Sequence, residues 1–247
     1  MVTAKTKRSA GRTPIPAPAI EALTFDGKEP IERQVYLTLR RALMSGAMQP
    51  GSRISSRSIA ASLGISTMPV REALKRLESD GALKSHLKSA FIVPYPTAEE
   101  FAEILQIRLR LEIMLAREAV SRITSDELDK VQWLQDRMAQ SKSGRQILNY
   151  NQQMHFTIYS AAQMPYALSI VENIWLRIGP ALHAVFNNKV GHSPYYQHYA
   201  IIDGLKAKDA DVVEQAVRVD LEEAAKIIEA RLAQMPSEGA ARAKVAA

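Results

Sequence analysis

Cysteine is absent from the chain, aromatic residues make up only 6% of it, and no apolar run approaches the roughly 18 residues that a membrane span needs. Zero Cys excludes disulfide scaffolds, thiolate zinc fingers, iron–sulfur clusters and cysteine nucleophiles. Any metal must therefore be held by His, carboxylate or amide groups. The basic N-terminus is not followed by the hydrophobic core of a signal peptide, so a chain in the reducing cytoplasm, with no membrane partner, is expected. A G-x-S-x-G nucleophile elbow and a phosphate-cradling glycine loop are also missing, which argues against an enzyme.

What the chain does have is an uneven charge. Its 247 residues carry a net charge of +6, but residues 1–98 hold 15 Lys/Arg against 7 Asp/Glu, whereas residues 99–247 hold 17 against 19. All the excess positive charge lies in the first two fifths. That asymmetry fits one module attracted to a polyanion and a second that is electrostatically ordinary.

Hydrophobic periodicity divides the chain accordingly. Residues 1–30 contain Pro14, Pro16, Pro18 and five basic residues with little periodicity, the composition of a disordered tail. Ile31, Val35, Leu39 and Leu43 mark a helix ended by Gly46 and Pro50-Gly51. A short helix follows, with Ser55 or Ser56 as its cap, Ile59 and Leu63 on one face and Gly64 as its stop. A third starts at Ser66 or Thr67, carries Pro69 in its first turn, and runs through Val70, Leu74 and Leu77 to Gly81. This helix–Gly–helix step outlines a helix-turn-helix, and Ala82–His86 with Ala90–Val93 read as two strands of a wing around a basic turn. Pro94 and Pro96 make a stiff boundary. From Thr97 the pattern is helical, with starts at Thr124-Ser125-Asp126-Glu127 and helices over about 145–163, 165–188, 194–207 and 209–234. The expected fold is mostly α: a winged helix-turn-helix over 31–96, an all-α bundle over 97–235 and a frayed tail over 236–247.

In a helix-turn-helix the second helix enters the major groove of double-stranded DNA with its N-terminal residues against base edges. Here that turn offers Ser66, Thr67, Met68 and Arg71, with Lys75 and Arg76 further along. The runs Pro50–Arg57, Leu63–Ser66, Pro69–Leu77 and Asp80-Gly81 resemble the winged helix-turn-helix of the GntR family of bacterial transcription regulators. The resemblance implies that Arg57, Arg71 and residues 66–68 meet DNA, and that the wing tip visits the minor groove. It departs from the family pattern at Thr67, where Arg is common, and at the wing tip near Ala90, where Gly is common. Thr cannot read guanine bidentately, so a deviant operator is expected, while phosphate contacts from Arg57, Arg71, Lys75 and Lys88 do not depend on that position.

The helical region resembles the FCD effector-binding bundle of the FadR subgroup, carried by Arg108 four residues before Glu112, by His155–Ala162 and by Tyr199–Leu205. The subgroup often binds a divalent metal through one Asp and three His. Those positions fall on Asn151, His155, His198 and Asp220, so the ligand set has exchanged a carboxylate for an amide and an imidazole for a carboxylate. Two readings stay open: a Zn, Ni, Mn or Fe site, or four polar groups that bind an effector or one another directly. A small carboxylate is the expected effector, clamped by Arg108 or Arg177, although Arg108 is equally placed for a salt bridge to Glu112. The resemblance implies a homodimeric regulator, most readily a repressor, with a metal-dependent hydrolase as the competing class. Trp133 and Trp175 read as core.

Overall fold

The computed structural model describes residues 29–86, 90–186 and 196–234, so the two terminal tails and the wing-tip Lys88 lie outside the described residues. Helix α1 (Ile31–Met44) packs Val35, Leu39 and Leu43, all fully buried, against α3 (Thr67–Ser79), which turns Val70, Ala73, Leu74 and Leu77 inward. Between them lies α2 (Ser56–Leu63), ended by Gly64 in the left-handed region at φ 66, where a residue with a Cβ is disfavoured. That turn sets the angle between α2 and α3.

The sheet contains one strand that periodicity did not predict. Besides β2 (Lys84–His86) and β3 (Ala90–Ile92), Arg53–Ser55 form β1, and the order is β1-β3-β2 with both pairings antiparallel. The buried side chains of Ile54 and Phe91 face each other in register, which fastens the wing to the three-helix core.

Val93 still pairs with Ser52, and α4 (Ala98–Ala119) starts after the two prolines with a capping box between Thr97 and Glu100. Thr124 and Glu127 cap α5 (Ser125–Gln140) in the same way, and Ser143 caps α6 (Gly144–Ala161). The expected single helix over 165–188 is three pieces. α7 (Pro165–Ile178) gives way to a 3-10 turn, Gly179–Leu182, and then to the short α8 (His183–Phe186). Pro180 has no N–H to continue the α-helical ladder, and Gly179 lowers the cost of leaving it. Helices α9 (Gln197–Ala207) and α10 (Ala210–Ala233) complete an all-α second unit among the described residues, in which no helix is long and apolar enough to cross a membrane.

The two units are tightly joined. A Cβ at Gly179 would lie 2.5 Å from the Leu43 carbonyl oxygen and 2.6 Å from that of Met44, so the end of α1 rests directly on the 3-10 turn. Arg40 on α1 pairs with Glu172 on α7 at 2.8 Å, and Arg177 Nη2 lies 3.5 Å from the Asp80 carbonyl oxygen.

Candidate functional site

One face of α3 is buried and the opposite one is exposed and polar except at Met68. Thr67, Met68, Arg71 and Lys75 all lie on it, Arg57 is exposed on the neighbouring α2, and Lys75 pairs with Glu72 at 3.0 Å. Arg76 instead stacks over the Tyr36 ring, 4.1 Å from its centre, and braces α3 against α1. Ser66 occupies the N-cap of α3 but makes no side-chain cap bond, unlike Thr97, Thr124 and Ser143 in the bundle. Ser66 is exposed beside the first turn of α3.

Inside the bundle, α6, α9 and α10 bring His155, His198 and Asp220 together although they are far apart in sequence. Nε2 of His155 lies 3.5 Å from one Asp220 oxygen and Nε2 of His198 lies 3.4 Å from the other. One ligand atom from each residue falls within 4.8 Å of the others, and all three residues are buried. Asn151 is buried one turn before His155 on α6, the i, i+4 relation that puts both on one helix face.

The hydrogen bonds behind these residues decide which atoms face one another. Burial raises the Tyr159 pKa well above its usual value, with Glu112 adding to it, so the hydroxyl keeps its proton. It donates that proton to Glu112 Oε2 at 2.8 Å and is left to accept from His155 Nδ1 at 3.1 Å. Nδ1 of His155 therefore carries the hydrogen, and Nε2 presents a lone pair to Asp220. His198 is backed from α5, with Nδ1 3.0 Å from Gln135 Oε1, the oxygen that accepts its hydrogen. Burial lowers the His155 pKa to about 3, against the pull of Asp220, so the ring is neutral. For Asp220 burial pushes the pKa up, but the neighbouring His198, with a smaller share from Arg108, outweighs it and holds the carboxylate ionised. The neutral His155 ring and the His198 ring thus converge on an ionised carboxylate in a buried pocket.

Glu112 is the hub beneath this cluster. It accepts from Arg108 Nε at 2.6 Å and Nη2 at 3.3 Å, from Tyr159, and from Trp175 Nε1 at 3.1 Å. Arg108 is thus committed to a buried ion pair, the second of the two roles that its spacing allowed. Arg177 is elsewhere: exposed at the end of α7, it lines a groove of about 330 Å³ with Lys84, Tyr95 and Ile107 against the DNA-binding unit. Trp175 is buried as expected but doubles as a wall of the site, its ring centre 5.6 Å from that of His155, whereas Trp133 is half-exposed rather than core. Gln135 escaped the sequence reading because it comes from α5, remote in sequence from His198. Tyr159 stood in plain view at i+4 from His155.

Comparison with known proteins decides the family. The description "Bacterial regulatory proteins, gntR family" matches residues 31–93, and "FCD domain" matches residues 103–223. The HTH-type transcriptional regulator McbR of Escherichia coli K12 is 35% identical over 184 residues, 72% of this chain and 83% of the relative. The chain belongs to the GntR family, with an FCD domain. The HTH-type transcriptional repressor RspR of the same organism is 25% identical over 202 residues, 79% of this chain and 87% of its own length. Among solved structures, E. coli McbR/YncC superposes with a TM-score of 0.76 at 31% identity, covering 82% of this chain and 99% of that one. A putative GntR regulator from Rhodococcus sp. RHA1 shares the fold at a TM-score of 0.65 and 24% identity, covering 83% of this chain and 99% of that one. This GntR protein is a transcriptional regulator with a DNA-binding unit, and its relatives are regulators rather than enzymes.

Proposed function

We propose that the chain is a homodimeric, cytoplasmic, ligand-responsive repressor. Its FCD domain holds a divalent metal through His155, His198 and Asp220, with Asn151 as a fourth ligand, and takes a small carboxylate effector. The observation that carries this reading is the convergence of three electron-pair donors on one buried point. Metal bonds of about 2.0–2.2 Å at tetrahedral angles put ligand atoms roughly 3.4 Å apart, and the two imidazoles lie 3.5 and 3.4 Å from the two different oxygens of Asp220. The donor set of two imidazoles and a carboxylate suits Zn, Ni, Mn or Fe.

The charges explain a preference for an anionic effector. Arg108 and Glu112 neutralise each other, so the site carries only the Asp220 charge, and a divalent ion turns that into a net positive centre. Such a centre attracts a carboxylate. Helix α7 links the two units, touching the site through Trp175 and the DNA-binding unit through Glu172 and Arg177. Repression is supported by the name of RspR, and contact of Arg57, Ser66, Thr67, Met68, Arg71, Lys75 and Lys88 with an operator by the exposed face of α3 and by the excess positive charge. A two-fold dimer fits the paired half-sites that helix-turn-helix proteins read.

The test is metal analysis and calorimetric titration of Zn²⁺ into the full chain, together with a mobility shift on the DNA upstream of its own gene. One ion per chain is expected, lost in His155→Ala/His198→Ala, along with a salt-sensitive, sequence-specific shift. A double variant that keeps its metal would overturn the site.

A further inference from the structure

Met68 is the one long apolar side chain displayed on the outer face of α3. It is 66% exposed, and among the described residues the large hydrophobics exposed as much, Tyr166 and Tyr196, both belong to the bundle. A single exposed apolar residue is ordinary on a protein surface. The position is what is informative. Met68 lies in the first turn of α3, beside Thr67 and the uncapping Ser66, and Arg71 is exposed one turn further on. Its neighbours are polar or cationic, the surroundings of a nucleic-acid contact rather than of a protein-docking patch. Pro69 follows it and fixes the backbone of that turn.

Resting on the DNA-recognition role of α3, we infer that Met68 reads a thymine 5-methyl group, so that each operator half-site contains a thymine specified by apolar contact and not by a hydrogen bond. A thioether has no N–H or O–H to donate and accepts only weakly. Among the four bases, the major-groove edges present a single apolar feature, the thymine methyl, and every other edge group is a donor or acceptor that a Met side chain would desolvate without pairing. The unbranched side chain has three rotatable bonds, so it can settle on that methyl from a range of docking angles.

The experiment first selects operators from a random duplex library with the full chain, then replaces each thymine of the enriched site by uracil. Uracil keeps the hydrogen-bonding edge and deletes only the methyl. At one thymine per half-site the substitution should weaken binding by wild type about fourfold, the worth of one buried methyl group. Met68→Ala should be indifferent to the same substitution, and Met68→Leu should keep the sensitivity. Because the side chain is exposed and Ala is a better helix former, the Ala variant folds as wild type does, which circular dichroism verifies. Comparing the two proteins on the two duplexes removes any effect of uracil on the duplex itself. If wild type tolerates uracil at every thymine, or Met68→Ala is equally sensitive, the methyl contact is refuted while DNA binding stands. A library that yields no enriched sequence overturns the DNA-recognition role along with it.

Discussion

The Tyr159 hydroxyl lies 3.1 Å from Nδ1 of His155 and gives its hydrogen to Glu112, 2.8 Å away, so a tyrosine dictates which nitrogen of a histidine faces Asp220. Tyr159→Phe removes the acceptor that fixes this tautomer without altering a ligand. Second-layer losses of this kind typically weaken metal binding 10–100-fold. Competition for Zn²⁺ against a chromogenic chelator measures it, and Gln135→Met should do the same through His198. Wild-type affinity in both variants would show that the relay does not orient the rings.

Acid should destabilise the metal-free chain in a defined window. Burial lowers the His155 pKa from 6.5 to about 3. Between those values the unfolded chain binds a proton that the folded one refuses, so stability is full above pH 6.5 and falls as the pH drops. The slope reaches at most about 1.4 kcal/mol per pH unit. Asp220, held below its usual 3.8, contributes stability that is lost only at lower pH still and is silent near neutrality. Thermal melts in chelator at pH 7, 6 and 5 should therefore show a falling midpoint, with a shallower fall in His155→Gln. His183, whose pKa burial also lowers, accounts for a residual slope. An identical slope in the variant would mean that His155 is not held neutral.

Arg108 and Glu112 are 3% and 0% exposed, so neither charge has water to fall back on. Arg108→Met should cost about 3–5 kcal/mol in urea unfolding, because it strands the Glu112 charge. Arg108→Met/Glu112→Gln should recover part of the loss, since it removes the stranded charge and leaves an amide oxygen for one of the two donors, Tyr159 or Trp175. Simple additivity of the two single changes would deny the coupling.

At the junction between the units, Gly179→Ala should destabilise by about 1–3 kcal/mol, an overpacking cost. The backbone there has φ −47, which any residue accepts, so the penalty comes only from the methyl group against the carbonyl oxygens of Leu43 and Met44. A lower urea midpoint is the expected result, and an unchanged one would mean that α1 does not sit against the turn in solution.

Local signals were legible in the sequence and remote pairings were not. The Thr97 and Thr124 starts, the Gly64 turn and the inward faces of α1 and α3 all follow from residues a few positions apart. Strand β1 has too few residues to show alternation, and it becomes a strand only because β3 arrives beside it. Gly179-Pro180 was visible as a pair, but the apolar periodicity of Val171, Trp175 and Ile178 ran past it and masked the break. In the bundle, His155, His198 and Asp220 came from a family resemblance, and the structure brings them together. Neither Gln135 nor the displacement of Arg177 towards Asp80 could be read from spacing, because both are decided by which helices happen to be neighbours.

The close seat of α1 on Gly179 has one more consequence. Pro94 and Pro96 look like a hinge in the sequence, yet the two units that they connect are also clasped by bare backbone at Gly179 and by the Arg40–Glu172 bridge. A chain clasped at a second place cannot bend freely at the first. The two units of one chain therefore turn together, and the proline pair acts as a spacer and not as a joint.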